Sequence, residues 1–292
     1  MECGRAIGIA FVTVAAVLAT ATPVAAQTPR VLLVGDSWAA FFWQTQALRQ
    51  TFATHGYPEF VEQGAVTAIS GSTAAEWTDP ALLQLITDEL AANPTIDIVQ
   101  ITLGGNDFLN GEPDGWYVGI LDPEALYADI VADVATVVDH TLALDPDLQI
   151  LVSGYDYPNF VESLGRILAF VCIPLWNGMN QPDPTTLNQA SLALGDEFDS
   201  LAATRERVDV IPHWGLMQFV VGDGAPPPGD PTQPSPIEAM ALQSDCIHLS
   251  SAGYLAVAES LWQSYYQQAL TEPIFADGFE DGDVGAWSGS VP

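Results

Sequence analysis

Short apolar runs alternate with longer stretches of helical periodicity along most of the chain. The apolar runs are rich in Val, Ile and Leu, which is typical of strands buried on both faces. They cover residues 30–34, 60–66, 96–103, 148–152 and 208–211. Between them, apolar residues recur at helical spacing in residues 38–54, 78–92, 123–144, 185–207 and 251–270. This alternation predicts one α/β domain with a mainly parallel sheet covered by helices on both faces.

Two stretches interrupt the alternation. Residues 155–184 are rich in Pro and Asn and include Trp176 and Cys172, and residues 222–236 contain six prolines and three glycines. We interpret both as long loops. Loops of this length inside a compact domain are commonly lids, binding loops or mobile segments.

The two ends of the chain differ from the region between them. Residues 1–26 contain a single Arg, an apolar stretch and the small residues Val24-Ala25-Ala26, which predicts a signal peptide cleaved after Ala26 and a secreted or periplasmic protein. The alternative, a retained signal anchor, fits less well because the apolar stretch is short. Residues 273–292 are acidic and rich in Gly, and we interpret them as a flexible tail, with a sorting or docking role as the alternative. Residues 27–272 would form the domain.

The charge balance excludes several functions. The chain has 37 acidic and 6 basic residues, a net charge of −31, and all six basic residues are Arg. Without Lys there is no Schiff-base nucleophile and no P-loop lysine. So negative a surface also disfavours nucleic acid and anionic membranes as partners. We therefore expect no nucleic-acid partner, no stable membrane insertion and a monomer.

Export would leave two cysteines, Cys172 and Cys246, because Cys3 precedes the predicted cleavage site. In an oxidising compartment such a pair most often forms a disulfide. Two buried free thiols remain the alternative at this point.

Two small motifs follow predicted strands. Gly35-Asp36-Ser37 follows the first strand and opens a helix, so its serine would stand at the sheet edge with its own N–H directed into the same space. Gly104-Gly105-Asn106-Asp107 follows the third strand, where glycines permit close approach of a ligand and Asn offers an NH₂ donor. Taken alone, each motif fits an ordinary turn or helix cap better than a catalytic site.

A third motif brings an acid close to a histidine. Asp245 precedes His248 by three residues, so its carboxylate can reach the imidazole Nδ1 and leave Nε2 facing outward as a general base. Alone, this motif fits an exposed histidine at a helix entry just as well. Sites of open α/β sheets gather at the carboxyl ends of the strands. The three motifs in this order therefore indicate a catalytic site.

These motifs resemble those of the SGNH hydrolase superfamily, the GDSL-type esterases and lipases. Ser37 lies in the first block, Gly71 in the second, Asn106 in the third, and Asp245 with His248 in the last. The resemblance covers about residues 30–270. It implies a three-layer α/β/α sandwich of flavodoxin-like type with a five-stranded, mainly parallel sheet. The chain departs from the common pattern by carrying Trp at position 38, where many members have an aliphatic residue.

The resemblance also implies roles for these residues. Ser37 would be the nucleophile, His248 the general base and then acid, and Asp245 the residue that orients the imidazole. The Ser37 N–H, the Gly71 N–H and the Asn106 side chain would form the oxyanion hole. The substrate would be a carboxylic ester, either a short acyl group on a carbohydrate or a lipid-like ester, and no cofactor or metal is needed. Thioesterase and acyl-transfer activity remain open within such a family.

Further residues are weaker candidates. His213 follows the fifth strand and is a candidate for lining the pocket, and four residues after the fourth strand are candidates for substrate contact: Tyr155, Asp156, Tyr157 and Asn159. We also hypothesise that a Cys172–Cys246 disulfide fixes the geometry of the catalytic acid and histidine. The alternative to an enzyme is a non-catalytic carbohydrate-binding or surface protein on the same fold, which would be expected to have lost some of these residues.

Overall fold

Five parallel strands form the centre of the molecule. The computed structural model describes residues 26–271. Its strands are β1 (Thr28–Gly35), β2 (Phe60–Gln63), β3 (Ile98–Thr102), β4 (Gln149–Ser153) and β5 (Val208–Ile211). Their order in the sheet is β2-β1-β3-β4-β5, and all neighbouring pairs are parallel. The predicted five-stranded parallel sheet is confirmed, and all carboxyl ends meet at one edge.

Helices connect the strands. In chain order they are α1 (Ser37–Thr45), α2 (Ala47–Thr54), α3 (Ala74–Trp77), α4 (Pro80–Ala92), α5 (Gly105–Leu109), α6 (Pro123–Leu142), α7 (Phe160–Ser163), α8 (Ala169–Gly178), α9 (Pro184–Ala203), α10 (Leu216–Val220), α11 (Ser251–Leu261) and α12 (Gln267–Thr271). A π-helical turn, Trp262–Tyr266, joins the last two. Two short 3₁₀ turns, Ile237–Ala239 and Ala241–Gln243, precede the last of the three motifs.

Two apolar cores, one on each face of the sheet, make the fold a three-layer sandwich. Successive side chains of a strand point to opposite faces. Leu32 and Val34 of β1 therefore pack into a core with α3, α4, α6 and α9, whereas Val31 and Leu33 pack into a second core with α1, α2, α10 and α11. The three-layer α/β/α class predicted from the sequence is confirmed.

The first predicted helix is interrupted, whereas the last is continuous. The stretch 38–54 divides at Gln46, which has a left-handed backbone with φ of 54°, and its N–H bonds to the carbonyls of Phe42 and Trp43 at the end of α1. The stretch 251–270 contains the π-helical turn. Apolar residues continue at helical spacing through Gln46, so the pattern predicted one helix over 38–54 and was wrong there. The predicted last helix is confirmed, because residues 251–271 are helical throughout and the π-helical turn lies inside them.

Residues 155–184 are more ordered than a long loop. They contain α7 and α8, and Asn159 caps α7 by accepting a hydrogen bond from the Glu162 N–H at 3.0 Å. Residues 222–236, by contrast, contain no helix or strand. The predicted signal peptide, apart from Ala26, and the predicted tail at 273–292 lie outside the described residues. No helix within residues 26–271 is long and apolar enough to cross a membrane.

Candidate active site

The end of β1 and the start of α1 present Ser37 at the carboxyl edge of the sheet. Gly35 has φ of +138°, and a Cβ there would collide with the carbonyl oxygen of Thr102 on β3, so only glycine fits. Asp36 caps α1, with Oδ1 accepting a hydrogen bond from the Trp38 N–H at 2.8 Å. Ser37 is therefore the first residue of the helix, and its backbone N–H is one of the groups that a helix start leaves without an intrahelical partner.

Ser37, His248 and Asp245 form one chain of hydrogen bonds. Ser37 Oγ lies 2.7 Å from His248 Nε2, and His248 Nδ1 lies 3.0 Å from Asp245 Oδ2. If Nδ1 carries the proton and donates it to the carboxylate, Nε2 is free to accept the hydrogen of the Ser37 hydroxyl. The arrangement can therefore draw a proton from a serine hydroxyl.

The Asp245 carboxylate is stabilised in its charged form. Burial alone would raise its pKa, but its hydrogen bond to His248 and those it accepts from the backbone N–H groups of Ile247 and His248, at 2.8 and 2.9 Å, outweigh burial and hold the pKa below the usual value. A negative charge thus stands beside the imidazole, where it would stabilise an imidazolium.

The loop that carries the acid and the histidine is held from two sides. From α1, Trp38 Nε1 donates a hydrogen bond to the Ile247 carbonyl at 3.0 Å, and the Phe41 ring lies 4.8 Å from the His248 ring between centroids. On the opposite side, residues 155–184 contact the same loop. Trp at position 38 therefore has a contact that an aliphatic residue could not make.

Residues 155–184 attach directly to the chain around Asp245. Cys172 and Cys246 are joined by a disulfide bond. The Asn159 N–H donates to the Cys246 carbonyl at 2.8 Å, and the Ser163 hydroxyl donates to the Asp245 carbonyl at 2.7 Å. Moving this segment would thus move the backbone of the candidate catalytic loop.

Asn106 and Gly71 lie on two loops that are bonded to each other. Asn106, in the first turn of α5, uses one side-chain N–H to hold the Ser72 carbonyl at 2.8 Å, which leaves its second N–H for another acceptor. The Asp107 carboxylate accepts the backbone N–H of Ala74 at 2.7 Å. Gly71 has φ of +86° and open space around it. These bonds hold the loop that contains Gly71 next to the loop that contains Asn106.

Asn106 and Ser37 line the same cleft. Gly71 lines a shallower neighbouring groove. Of the weaker candidates, Tyr155 and Asp156 line the cleft. Tyr157 is buried below the surface.

His213 does not line the cleft, contrary to expectation. It is buried, its Nε2 is hydrogen-bonded to Ser153 Oγ at 2.9 Å, and burial lowers its pKa to about 3. Its neighbour Trp214 lines the cleft instead. Asn159 is also buried; it caps α7 and donates to the Ser235 carbonyl at 2.8 Å.

A partly buried tyrosine links the ends of three strands, a role that its neighbours in the sequence do not indicate. The Tyr155 hydroxyl donates to Asp36 Oδ2 at 2.6 Å and accepts from the Gly105 N–H at 2.9 Å. Burial raises the pKa of Asp36 to about 6, although the hydrogen bonds from Tyr155 and Trp38 oppose that shift. Tyr155 therefore connects the residue before Ser37 with the residue before Asn106.

Comparison with solved structures agrees with this architecture. A lipase from a goat rumen metagenome matches with a TM-score of 0.50 and 14% identity, over 82% of this chain and 98% of that one. A protein from Streptococcus pneumonia named for platelet activating factor matches with a TM-score of 0.52 and 16% identity, over 83% and 86%. At such identities the similarity concerns the fold.

Sequence comparison identifies the family. Comparison with curated proteins gives no match. The model of the GDSL-like lipase/acylhydrolase family matches residues 33–256, which include Ser37, Asn106 and His248 and cover well over half of the chain. The protein therefore belongs to the GDSL-like lipase/acylhydrolase family.

Proposed function

We propose that the protein is a secreted serine esterase that hydrolyses carboxylic esters through an acyl-enzyme intermediate. The observation that carries the proposal is the continuous hydrogen-bonded chain from Ser37 Oγ through His248 to Asp245. It begins at a helix start on the carboxyl edge of a parallel sheet, where such folds gather their sites. The alternative of a non-catalytic binding protein is less consistent with a chain that retains every member of this set.

The reaction would proceed in two halves. Ser37 Oγ attacks the ester carbonyl carbon while His248 Nε2 takes the hydroxyl proton, and Asp245 stabilises the imidazolium. His248 then returns the proton to the leaving alcohol, and the acyl group remains on Ser37. In the second half a water molecule takes the place of the alcohol and attacks the acyl carbon while His248 Nε2 takes its proton. The bond from the acyl carbon to Ser37 Oγ then breaks, His248 returns the proton to Ser37 Oγ, and the carboxylic acid leaves.

The negative charge that develops on the carbonyl oxygen needs donors. The backbone N–H groups of Ser37 and Gly71 and the second side-chain N–H of Asn106 are the groups we assign to it. Removing one such donor typically lowers kcat by roughly 10²–10³. The Asn106 bond to Ser72 fixes the direction of the remaining N–H, and preorganisation of this kind is what gives the donor its effect.

Secretion rests on two features of the chain. Residues 1–26 have the composition of a signal peptide, and the Cys172–Cys246 bond fits an oxidising compartment. In this proposal the mature enzyme starts at Gln27 and the tail at 273–292 is an extension outside the catalytic domain.

The test is ester hydrolysis by protein starting at Gln27, beside its Ser37→Ala variant. We expect p-nitrophenyl esters to be cleaved by the parent protein and the Ser37→Ala rate to fall to background, because no other group takes the place of Oγ. Circular dichroism of both proteins checks that the variant is folded. Equal rates in the two proteins, or no hydrolysis of any ester from acetate to palmitate by folded parent protein, would overturn the proposal.

A further inference from the structure

Two hydrogen bonds join α1 to the loop 245–248 in the part of the chain that the structure describes. One runs between His248 Nε2 and Ser37 Oγ at 2.7 Å, and the other runs from Trp38 Nε1 to the Ile247 carbonyl at 3.0 Å. The first is lost in the proposed reaction, because the Ser37 hydroxyl gives up its proton and Oγ then carries the acyl group. The second involves no group that reacts, so it can hold the loop while Ser37 is acylated.

One peptide unit carries the effect of Trp38 to the catalytic acid. The Ile247 carbonyl and the His248 N–H belong to the same peptide, which is planar and trans, so its oxygen and hydrogen point in opposite directions. Trp38 holds the oxygen, and the N–H donates to Asp245 Oδ1 at 2.9 Å. Asp245 Oδ2 then faces His248 Nδ1 at 3.0 Å. Fixing the carbonyl thus fixes the N–H that orients the carboxylate, and the carboxylate orients the imidazole.

The indole that makes this bond has little freedom of its own. Trp38 is 4% exposed, and its ring packs edge-on against Tyr155 and Tyr254, at 5.3 and 5.5 Å between centroids. Its backbone N–H donates to Asp36 Oδ1 at 2.8 Å. Trp38 also follows Ser37 directly in α1, so the nucleophile and the indole belong to the same helical turn. The position of the loop relative to Ser37 is therefore set by the next residue in the sequence.

The other supports of the loop act in different directions. The disulfide and two hydrogen bonds attach Asp245 and Cys246 to residues 155–184, so they position the loop against that segment. From α1, the Phe41 ring contacts the imidazole at 4.8 Å between centroids, and such a contact is less directional than a hydrogen bond. Once Ser37 is acylated, the Trp38 bond is the directional contact that relates the loop to the helix of the nucleophile.

We propose that Trp38 is a positioning residue for hydrolysis of the acyl-enzyme, in which its indole N–H keeps His248 in place beside the acylated Ser37. The proposal rests on the esterase function proposed above and gives a role to the residue by which this chain departs from the common family motif. In this step the water oxygen bonds to the acyl carbon while its proton goes to His248 Nε2. The bond from that carbon to Ser37 Oγ breaks, and the proton passes to Oγ.

Trp38→Phe tests this role, since Phe keeps an aromatic ring at this position and removes the N–H. The substrate is p-nitrophenyl butyrate, whose good leaving group makes acylation the faster half of the reaction. For this ester kcat/KM reports the steps up to acylation, and kcat reports deacylation.

We expect kcat to fall by roughly 10–100-fold, as it does when a catalytic group is misplaced. We expect kcat/KM to fall by less than about fivefold, the effect of one neutral hydrogen bond, because His248 still has the Ser37 hydroxyl to hold it during acylation. KM therefore falls as well. A burst of about one p-nitrophenol per enzyme molecule should precede the steady state, since the acyl-enzyme accumulates. A change that merely loosened the fold would lower kcat and kcat/KM together.

Trp176→Phe is the matched control. The Trp176 indole N–H also donates to a backbone carbonyl, that of Pro182 at 3.1 Å, and this residue does not line the cleft. Its loss should leave KM at the parent's value. If circular dichroism shows that Trp38→Phe does not fold, benzothienylalanine at position 38 replaces it, because this residue has sulfur in place of the indole N–H and nearly the same shape.

Equal falls in kcat and kcat/KM, or kinetic constants like those of the parent, would overturn the role given to Trp38 while leaving the esterase intact. Absence of Ser37-dependent hydrolysis in the parent protein would instead overturn the esterase function.

Discussion

Replacing Tyr155 by Phe removes one hydroxyl that serves two partners. Asp36 Oδ2 loses a donor at 2.6 Å, and the Gly105 N–H loses its acceptor at 2.9 Å. The ring itself packs edge-on against Trp38 with 5.3 Å between centroids, and Phe preserves that contact. The change therefore isolates the hydroxyl.

The cost of this change depends on pH. In the folded protein the pKa of Asp36 is about 6, above the 3.8 of an ordinary Asp, so the folded state binds the proton more tightly than the unfolded chain. Asp36 makes its full contribution to the free energy of unfolding below about pH 4. That contribution falls by about 3 kcal/mol as the pH rises to 6 and above. The Tyr155 hydrogen bond opposes that loss because it favours the charged carboxylate.

We expect the variant to lose about 2–3 kcal/mol at pH 8, where the lost bond is to a charged group, and only about 1 kcal/mol at pH 4.5, where the Asp36 carboxyl is mainly protonated. We also expect kcat to fall, because the residues before Ser37 and Asn106 are no longer held together. Urea unfolding at the two pH values gives the free energies, and p-nitrophenyl butyrate hydrolysis gives kcat.

Tyr157→Phe is the control for this experiment. The Tyr157 hydroxyl donates a hydrogen bond to the Pro228 carbonyl at 2.9 Å. Unlike the Asp36 carboxylate, this acceptor does not titrate. Its loss should cost the same at both pH values. If Tyr155→Phe also costs the same at pH 4.5 and pH 8, the assignment of a charged Asp36 acceptor is wrong.

Three further changes have distinct expected outcomes. Glu62 is buried, its carboxylate oxygens have no hydrogen-bond partner, and burial raises its pKa to about 7. The free energy of unfolding should therefore fall between pH 4.5 and pH 8 as Glu62 becomes charged. In Glu62→Gln, urea unfolding should show a fall that is about 3 kcal/mol smaller. A parent-like pH dependence would contradict this. Removing the Cys172–Cys246 bond by a double Ala substitution should cost roughly 2–4 kcal/mol and lower kcat; unchanged kcat in folded protein would refute the positioning role. Asn106→Ala should lower kcat by roughly 10²–10³ with a small change in KM, and a KM effect alone would argue against an oxyanion donor.

The sheet and the approximate position of the site were predictable because their signals are local. Each strand is a short apolar run, and β5 begins and ends where the pattern placed it, at Val208 and Ile211. The motifs at Ser37, Asn106 and His248 follow strands or precede a helix, so their placement depended only on neighbouring residues. The parallel order of the strands then brought them to one edge.

Other features depend on contacts between residues far apart in the sequence. Tyr155 bonds to Asp36 across 119 positions, and nothing in its neighbourhood indicates an acidic partner. Leu194 lies in an amphipathic helix whose pattern predicts core packing alone, yet it lines the cleft. The left-handed turn at Gln46 also could not be predicted from the sequence, because Gln has no preference for turns and the apolar spacing continues through it.

Covalent trapping of the nucleophile examines the proposed mechanism most directly. A fluorophosphonate ester reacts with a serine only where a base and an oxyanion site activate it. After treatment of the protein starting at Gln27, mass spectrometry of proteolytic peptides should find one adduct, on Ser37, formed at a rate that falls at least 100-fold in folded His248→Ala protein. No adduct, an adduct on another residue, or labelling of Ser37 at the same rate without His248 would contradict the serine-esterase mechanism.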